Sequence, residues 1–347
     1  MHPARIAPTR DRPSPGIGGQ SAAQPSETFH AGDGGHGVLN YLIRRLLQSV
    51  LVVAGATFIV FFVLYQTGDP TLLIASTQAT TQDIANLRHD LGFDRPWYEQ
   101  YGRFVLHAAH GDFGQSLRFR QPVTQVVLEK LPATLELSIA AYALALLVAI
   151  PVGIISATRR NSLWDNVAML VAMFGQSVPV FFLGIMLLWI FGGQLGWFPI
   201  VGRGDGFVDE LHHLVLPAIT LGTFSMARNA RLVRSNLLEV LGQEFVRTAR
   251  AKGLREYTVM MRHALKNAMI PLVTIMGLEF GVLLGGAVVT ETVFAWPGVG
   301  QMVIRAIEQK DFPVVVGAVT MLSLIFVALN LLVDLTYGFL DPRIRFG

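Results

Sequence analysis

Six long apolar segments constrain this chain more than any other feature of its sequence. They lie at residues 46–65, 137–158, 166–193, 212–227, 267–290 and 312–333. A helix that crosses a bilayer needs about 20 apolar residues, and backbone polar groups cannot stay unpaired in lipid. Five segments reach that length, and the fourth reaches it if its helix continues through Arg228 and Arg231, whose side chains can snorkel. We therefore predict an all-α membrane protein with six transmembrane helices.

Composition supports this class and excludes others. Charged residues make up 15% of the chain, against about 25% in an ordinary soluble domain. The chain has no cysteine, which excludes disulfides, thiolate metal sites and cysteine nucleophiles. It also contains no Gly-Lys dipeptide, so a phosphate-binding loop of the G-x-x-x-x-G-K-[ST] type is excluded.

Lysine and arginine residues predict how the helices are oriented, because cytoplasmic loops carry an excess of these residues. Residues 228–266 hold nine cations and three acids. The pairs Arg44–Arg45, Arg159–Arg160 and Arg343, Arg345 fall on the same side if each segment crosses once. We predict that this side is the cytoplasm and that both termini lie there.

Four regions follow from this pattern. Residues 1–40 are rich in Gly, Pro, Ser and Ala, which predicts a disordered cytoplasmic tail. Residues 41–65 form the first transmembrane helix. Residues 66–131 are predicted to fold outside the membrane, with Pro132 at their end and aromatic side chains at helical spacing: Trp97, Tyr98, Tyr101 and Phe104. Residues 132–345 form the core, in which Glu308, Lys310 and Asp311 are interpreted as a solvated loop.

The basic stretch between the fourth and fifth segments is predicted to be helical and amphipathic. Phe245, Val246 and Ala249 lie at helical spacing, and Gly253 occupies the position at which a helix ends in a left-handed conformation. A second helical stretch at residues 256–266 has an apolar side made of Tyr257, Met260, Met261 and Leu265. Periodicity alone favours a helix on anionic lipid headgroups somewhat over a surface that docks another protein.

Separated motifs in this chain resemble those of one transporter family. Ala249-x-x-x-Gly253, followed by Ile270-Pro271, resembles the loop signature of permease subunits of bacterial ABC importers. The stretches LLEVLGQEFVRTARAKGL and RHALKNAMIPLVT are similar, more narrowly, to the dipeptide, oligopeptide and nickel importer permeases. Further stretches match in the same order, at residues 111–138, 194–202, 285–301 and 331–345.

The resemblance implies a type I ABC importer permease fold in the bacterial inner membrane. It implies a coupling helix within residues 239–266 that contacts an ATPase, with the site residues Glu244, Ala249, Lys252, Gly253 and Leu254 at or beside the contact. The implied partners are a second permease subunit, two cytoplasmic ATPases, an extracytoplasmic solute-binding protein and membrane lipid, with no nucleic acid. ATP and magnesium would be used by the ATPases, and this chain would bind no cofactor. The implied substrates are peptides or a related small solute.

Three polar residues in apolar segments are candidates for the translocation path. Glu279 lies inside the fifth segment, where a charge facing lipid costs about 2.5 to 3.5 kcal/mol. It is expected to line the path or to bond at an interface, and both roles stay open. Gln176 and Ser177, beside Pro179, either line the path or satisfy carbonyl groups that the proline frees.

Two other classes of function were considered. An ion-gradient-driven transporter with Glu279 as its proton site should show internal repeats, and the two halves of the chain show none. A membrane-embedded enzyme needs a convergent set of acids, bases or metal ligands, which the sequence lacks. The adjacent His212 and His213 are interpreted as interfacial anchors and not as a metal site.

Overall fold

The computed structural model describes residues 34–68, 71 and 79–340. This part of the chain consists of helices joined by turns and loops, with one isolated bridge between Gln115 and Pro122 and no strand. Two π-helical stretches, π1 and π2, interrupt the α-helices. The elements in chain order are α1 (Gly34–Gln66), α2 (Thr81–Asp90), α3 (Trp97–Ala109), α4 (Val123–Thr158), α5 (Leu163–Ser177), α6 (Val180–Leu187), π1 (Leu188–Gln194), α7 (Phe207–Leu241), α8 (Glu244–Ala251), α9 (Glu256–Thr258), π2 (Val259–Leu265), α10 (Lys266–Ala268), α11 (Ile270–Val293), α12 (Val299–Glu308) and α13 (Phe312–Leu340).

The described helices account for most of the predicted spans. Three stretches are long and apolar enough to cross a membrane, namely Ile43–Gln66, Val123–Thr158 and Phe312–Leu332. Two bent pairs, Leu163–Ser177 with Val180–Gln194 and Glu256–Val273 with Leu278–Val293, bring the number to five if each pair is one span. α7 is not among these stretches, and the count of six stays a prediction.

The third predicted span is two helices and not one. Its halves α5 and α6 meet at 107°. The break lies at Val178, which is extended with ψ 125°, directly before Pro179 at the start of α6. Proline disfavours helical geometry in the residue before it and donates no backbone hydrogen bond. The segment at residues 166–193 is therefore a bent pair of helices that is broken beside Pro179.

Two predicted boundaries also fall inside continuous helices. The first is the boundary between residues 131 and 132, which α4 crosses with both Pro132 and Pro151 in its interior. Buried side chains on both sides of Pro132, including Val127 and Leu137, hold the helix together. The second is the end of the predicted tail, because residues 34–40 belong to α1. The remainder of that tail lies outside the described residues.

The core is centred on α4 and α7, which approach each other closely at glycine positions. A Cβ atom on Gly153 of α4 would lie 2.8 Å from the carbonyl oxygen of Ala230, and one on Gly222 of α7 would lie 2.6 Å from that of Ala141. Small residues allow such backbone approach between membrane helices. α7 is one unbroken helix of 35 residues. It continues well past residue 227, where the apolar segment ends.

Asp311 joins the segment before α4 to the turn before α13. Its buried carboxylate accepts hydrogen bonds from the Ser116 hydroxyl at 2.5 Å and from the Leu117 amide at 3.1 Å. The interpretation of Asp311 as part of a solvated loop is therefore wrong. Ser116 lies 195 residues away along the chain, so sequence position gave no sign of this partner.

Candidate functional site

The loop between α7 and α11 begins with the short helix α8, which ends as predicted. Gly253 adopts a left-handed φ of +76°, and its amide donates to the Arg250 carbonyl at 2.9 Å. The next amide, that of Leu254, reaches back to the Ala249 carbonyl at 3.4 Å. These two bonds form a Schellman motif, which glycine fits because it has no Cβ to strain a positive φ.

The inner face of α8 is smaller than the predicted apolar face. Val246 and Ala249 are buried against Val259 of π2, together with the end of α7. Phe245, predicted to share this face, is exposed. Ala249 therefore uses its small side chain to let the loop pack on itself.

The π-helical stretch changes which residues of the returning segment are buried. The buried residues are Val259, Ala264 and Ala268, spaced five and four apart. A π turn uses i→i+5 bonds, so residues five apart fall on one face. Tyr257 and Met261 are exposed instead, and the predicted apolar side of residues 256–266 is wrong for these two.

Ion pairs fix the shape of the turn. Arg250 donates to both carboxylate oxygens of Glu256, at 2.6 and 3.1 Å, across the Gly253 turn. These hydrogen bonds raise the pKa of the Arg250 guanidinium above its ordinary value. Glu244 accepts a 2.7 Å bond from Arg247 within α8. The pairs leave Lys252 and Arg255 as exposed cations beside the turn.

Apolar side chains are exposed on the same loop. We call them the tip surface, and they are Phe245 (43% exposed), Leu254 (40%), Tyr257 (76%) and Met261 (41%). Four apolar side chains are thus exposed on one short basic loop. Of the five site residues expected from the resemblance, only Leu254 has an exposed apolar side chain, while Gly253 shapes the turn.

The loop is anchored to the transmembrane helices behind it. Ala264 and Ala268 pack in one cluster with Leu237 of α7 and Ala157 of α4. The Asn236 amide also donates to the Ala268 carbonyl at 3.3 Å. These contacts fix the returning segment of the loop to α7 and to the end of α4.

Arginines on α7 hold neighbouring helices. Arg234 forms a two-pronged contact with the buried carboxylate of Asp165 at the start of α5, at 2.6 and 2.8 Å. Arg231 donates to the side-chain oxygen of Gln176 at the end of α5. Sequence reasoning treated these arginines as orientation signals and missed their partners. The acid at residue 165, shortly after the Arg159–Arg160 pair, was the only feature of the sequence that could have indicated this ion pair.

The candidate path residues have identifiable partners within the chain. Glu279 is buried in α11, where its carboxylate accepts a 2.7 Å bond from the Asn229 amide and lies 3.4 Å from Arg228 Nε. Ser177 donates to the Met173 carbonyl of its own helix at 2.9 Å. These contacts favour an internal structural role for Ser177 and place Glu279 between two helices. The path role of all three candidates stays a prediction.

Glu291, near the end of α11, was missed by sequence reasoning. Its buried carboxylate accepts hydrogen bonds from Thr134 Oγ1 at 2.6 Å and from the Gln301 amide at 2.9 Å. The carboxylate thus caps the first turn of α12, where helix N-termini attract negative charge. A single acid next to the glycine-rich turn before α12 was the feature of the sequence that could have indicated this cap.

No metal centre is formed within the part of the chain that the structure describes. Nε2 of His212 lies 2.8 Å from the Trp197 carbonyl, and Nδ1 of His213 lies 2.9 Å from that of Asp209. Both histidines thus contact backbone, which agrees with their interpretation as anchors.

Comparison with known sequences decides the family. Residues 149–346 match the binding-protein-dependent transport system inner membrane component, and residues 38–138 match the N-terminal region of that membrane component. The chain belongs to this family. It is a permease subunit of an ABC importer, and an ion-gradient-driven transporter that uses Glu279 is not favoured.

Relatives and solved structures agree with this assignment. The dipeptide transport system permease protein DppB of Alkalihalophilus pseudofirmus is 40% identical over 333 residues, covering 89% of this chain and 100% of that protein. The glutathione transport system permease protein GsiC of Escherichia coli is 41% identical over 310 residues, with the same coverage. The inward-facing MetNI methionine ABC transporter shares the fold, with a TM-score of 0.52 and 17% identity over 63% of this chain and 97% of that chain.

Proposed function

We propose that this importer permease carries peptides or related small solutes. Two similar proteins, aligned along their full length, are named for dipeptide and for glutathione transport. Both names denote small peptides, which supports the same substrate class here. The chain itself would carry out no catalysis and bind no cofactor, and ATP with magnesium would act in partner ATPases.

The assembly would contain a second permease subunit, two cytoplasmic ATPases and an extracytoplasmic solute-binding protein. In this arrangement the chain supplies half of the translocation path. It crosses the bacterial inner membrane six times, with the α5–α6 pair as the third span and α7 as the fourth, and both termini are cytoplasmic. The excess of cations on the loop after α7 supports this orientation.

The tip surface would dock in a groove of an ATPase subunit. The observation that carries this proposal is the combination of a fixed turn, exposed apolar side chains and anchoring to the transmembrane helices. A fixed turn loses little conformational entropy on binding, and anchoring through Ala264 and Ala268 links the contact to α7 and α4. A helix lying on lipid headgroups would need the exposed residues but not the anchoring.

Site-directed cross-linking tests the docking, because the chain has no cysteine of its own. Leu254→Cys and Tyr257→Cys should each form a cross-link to an ATPase subunit in the assembled importer. Ile139→Cys, which is also exposed but lies on α4, is the matched control and should not. Labelling of the two tip positions by lipid-phase reagents, with no cross-link to the ATPase, would contradict docking and favour the headgroup alternative.

A further inference from the structure

Helix α3 has a wider apolar arc than its contact with the rest of the chain requires. Successive helix residues are about 100° apart, which divides α3 into three faces. Trp97, Tyr101, Phe104 and Ala108 form the first face. Tyr98, Val105, Leu106 and Ala109 form the second, and the polar residues Glu99, Gln100, Arg103 and His107 form the third.

The first face packs against the outer half of α1. Tyr101 donates a 2.9 Å hydrogen bond to the Ala54 carbonyl, and its ring centroid lies 5.4 Å from those of Phe58 and Phe61. The ring centroid of Trp97 lies 6.0 Å from that of Phe62. α3 therefore crosses the outer half of α1, between Ala54 and Phe62, and does not sit beyond the end of α1.

The position of this crossing sets the depth of α3. Phe58 and Phe62 precede the end of α1 at Gln66 by eight and four residues, which is about 12 and 6 Å at 1.5 Å per residue. A hydrocarbon core of about 30 Å takes up some 20 residues of a helix, and the apolar stretch of α1 from Leu46 has that length. The Phe62 end of the crossing thus lies near the outer headgroup and acyl-chain boundary. Ala54, which the long Tyr101 side chain reaches, lies deeper, twelve residues or about 18 Å from the end of α1.

The second and third faces fit that boundary. Tyr98 is 64% exposed and Leu106 is 65% exposed, so nothing within the described part of the chain covers this apolar face. On the polar face Glu99 pairs with Arg95 and with Arg103, the latter at 3.3 Å. These pairs neutralise most of the charge of this face. Trp and Tyr at the start of the helix are typical of membrane interfaces.

We propose that α3 is an interfacial helix embedded in the outer leaflet, with Tyr98, Val105 and Leu106 against lipid acyl chains. The proposal rests on the topology given under the proposed function, and it revises the expectation that residues 66–131 lie wholly outside the membrane. An amphipathic helix in the interface plane buries its apolar side by about 5–10 Å, which agrees with the crossing level on α1.

Spin labels on the full chain in phospholipid vesicles test the proposal. Leu106→Cys and Arg103→Cys are the matched pair, because their side chains are similarly exposed, at 65% and 56%, but lie on different faces. Oxygen concentrates in acyl chains and a polar nickel chelate stays in water. The label at Leu106 should therefore show high oxygen and low nickel accessibility, and the label at Arg103 should show the reverse. Leu51→Cys on α1 and Gln82→Cys on α2 serve as lipid and water references.

The outcomes separate this inference from the proposed topology. Nickel accessibility at Leu106 equal to that at Gln82 would overturn the lipid contact while leaving α1 in the membrane. Low accessibility to both reagents at Leu106 would show that protein covers this face and would also overturn it. A nickel-accessible label at Leu51 would overturn the topology and the inference together.

Discussion

Substitution of Gly253 separates backbone strain from crowding at the ATPase contact. Gly253 has φ +76°, and no atom of the chain lies within 4 Å of the position where its Cβ would be. A new side chain therefore meets no obstacle within the subunit, and its cost arises from the left-handed backbone alone. That cost is about 1–2 kcal/mol for an ordinary residue, which changes the population of the native turn by about 5- to 30-fold.

The expected order of effects follows from this reasoning. Asn visits the left-handed region more readily than other non-glycine residues, so Gly253→Asn should be milder than Gly253→Ala, although Asn is larger. Gly253→Val should be the most severe, because a β-branched residue at positive φ is strained further. The loss should appear as less ATPase co-purified with the chain and as slower transport in vesicles.

Two results would refute the reasoning. If Gly253→Ala is milder than Gly253→Asn, side-chain size limits the contact, and a partner backbone must approach the glycine closely. If Gly253→Val assembles with its ATPases and transports at the normal rate, the turn does not take part in docking. A thermal melt of each variant in detergent is the control for general unfolding.

Substitutions at three further positions test the interior of the subunit. Glu279→Gln should leave assembly and transport nearly unchanged, because Gln keeps an acceptor for Asn229. Glu279→Leu should destabilise the chain by about 1–3 kcal/mol, because it leaves the buried Asn229 amide unpaired. Loss of transport by the Gln variant with assembly intact would instead indicate a path role. Glu291→Ala should lower the melting temperature in detergent more than Glu291→Gln, since it leaves the Gln301 amide and the Thr134 hydroxyl without their acceptor. Equal melting of the two variants would contradict the capping role. Gly222→Ala should destabilise the chain by about 1–3 kcal/mol, because its Cβ would lie 2.6 Å from a backbone oxygen of α4, while Gly55→Ala on α1, which has open space, should not.

The class of the protein and the shape of its loop were accessible from the sequence. A membrane helix is predicted by summing the hydropathy of consecutive residues, which needs no information about the helices that pack against it. The left-handed Gly253 was predictable for a similar reason, since a helix end depends on residues within one turn. The motifs around Ala249 and Gly253 indicated the transporter family before any contact was known.

The tertiary structure decided what depends on distant partners. Asp311 and Glu291 look like solvated or incidental acids in the sequence, and they are buried because Ser116 and Thr134 reach them from far along the chain. The π2 stretch places Val259 and Ala264 on the buried side of the returning segment, and Met261 between them belongs to the exposed tip. Local propensity and hydropathy act over one or two turns, whereas the burial of a polar group depends on which helix packs against it. The packing partner is fixed only when α4, α7, α11 and α13 come together.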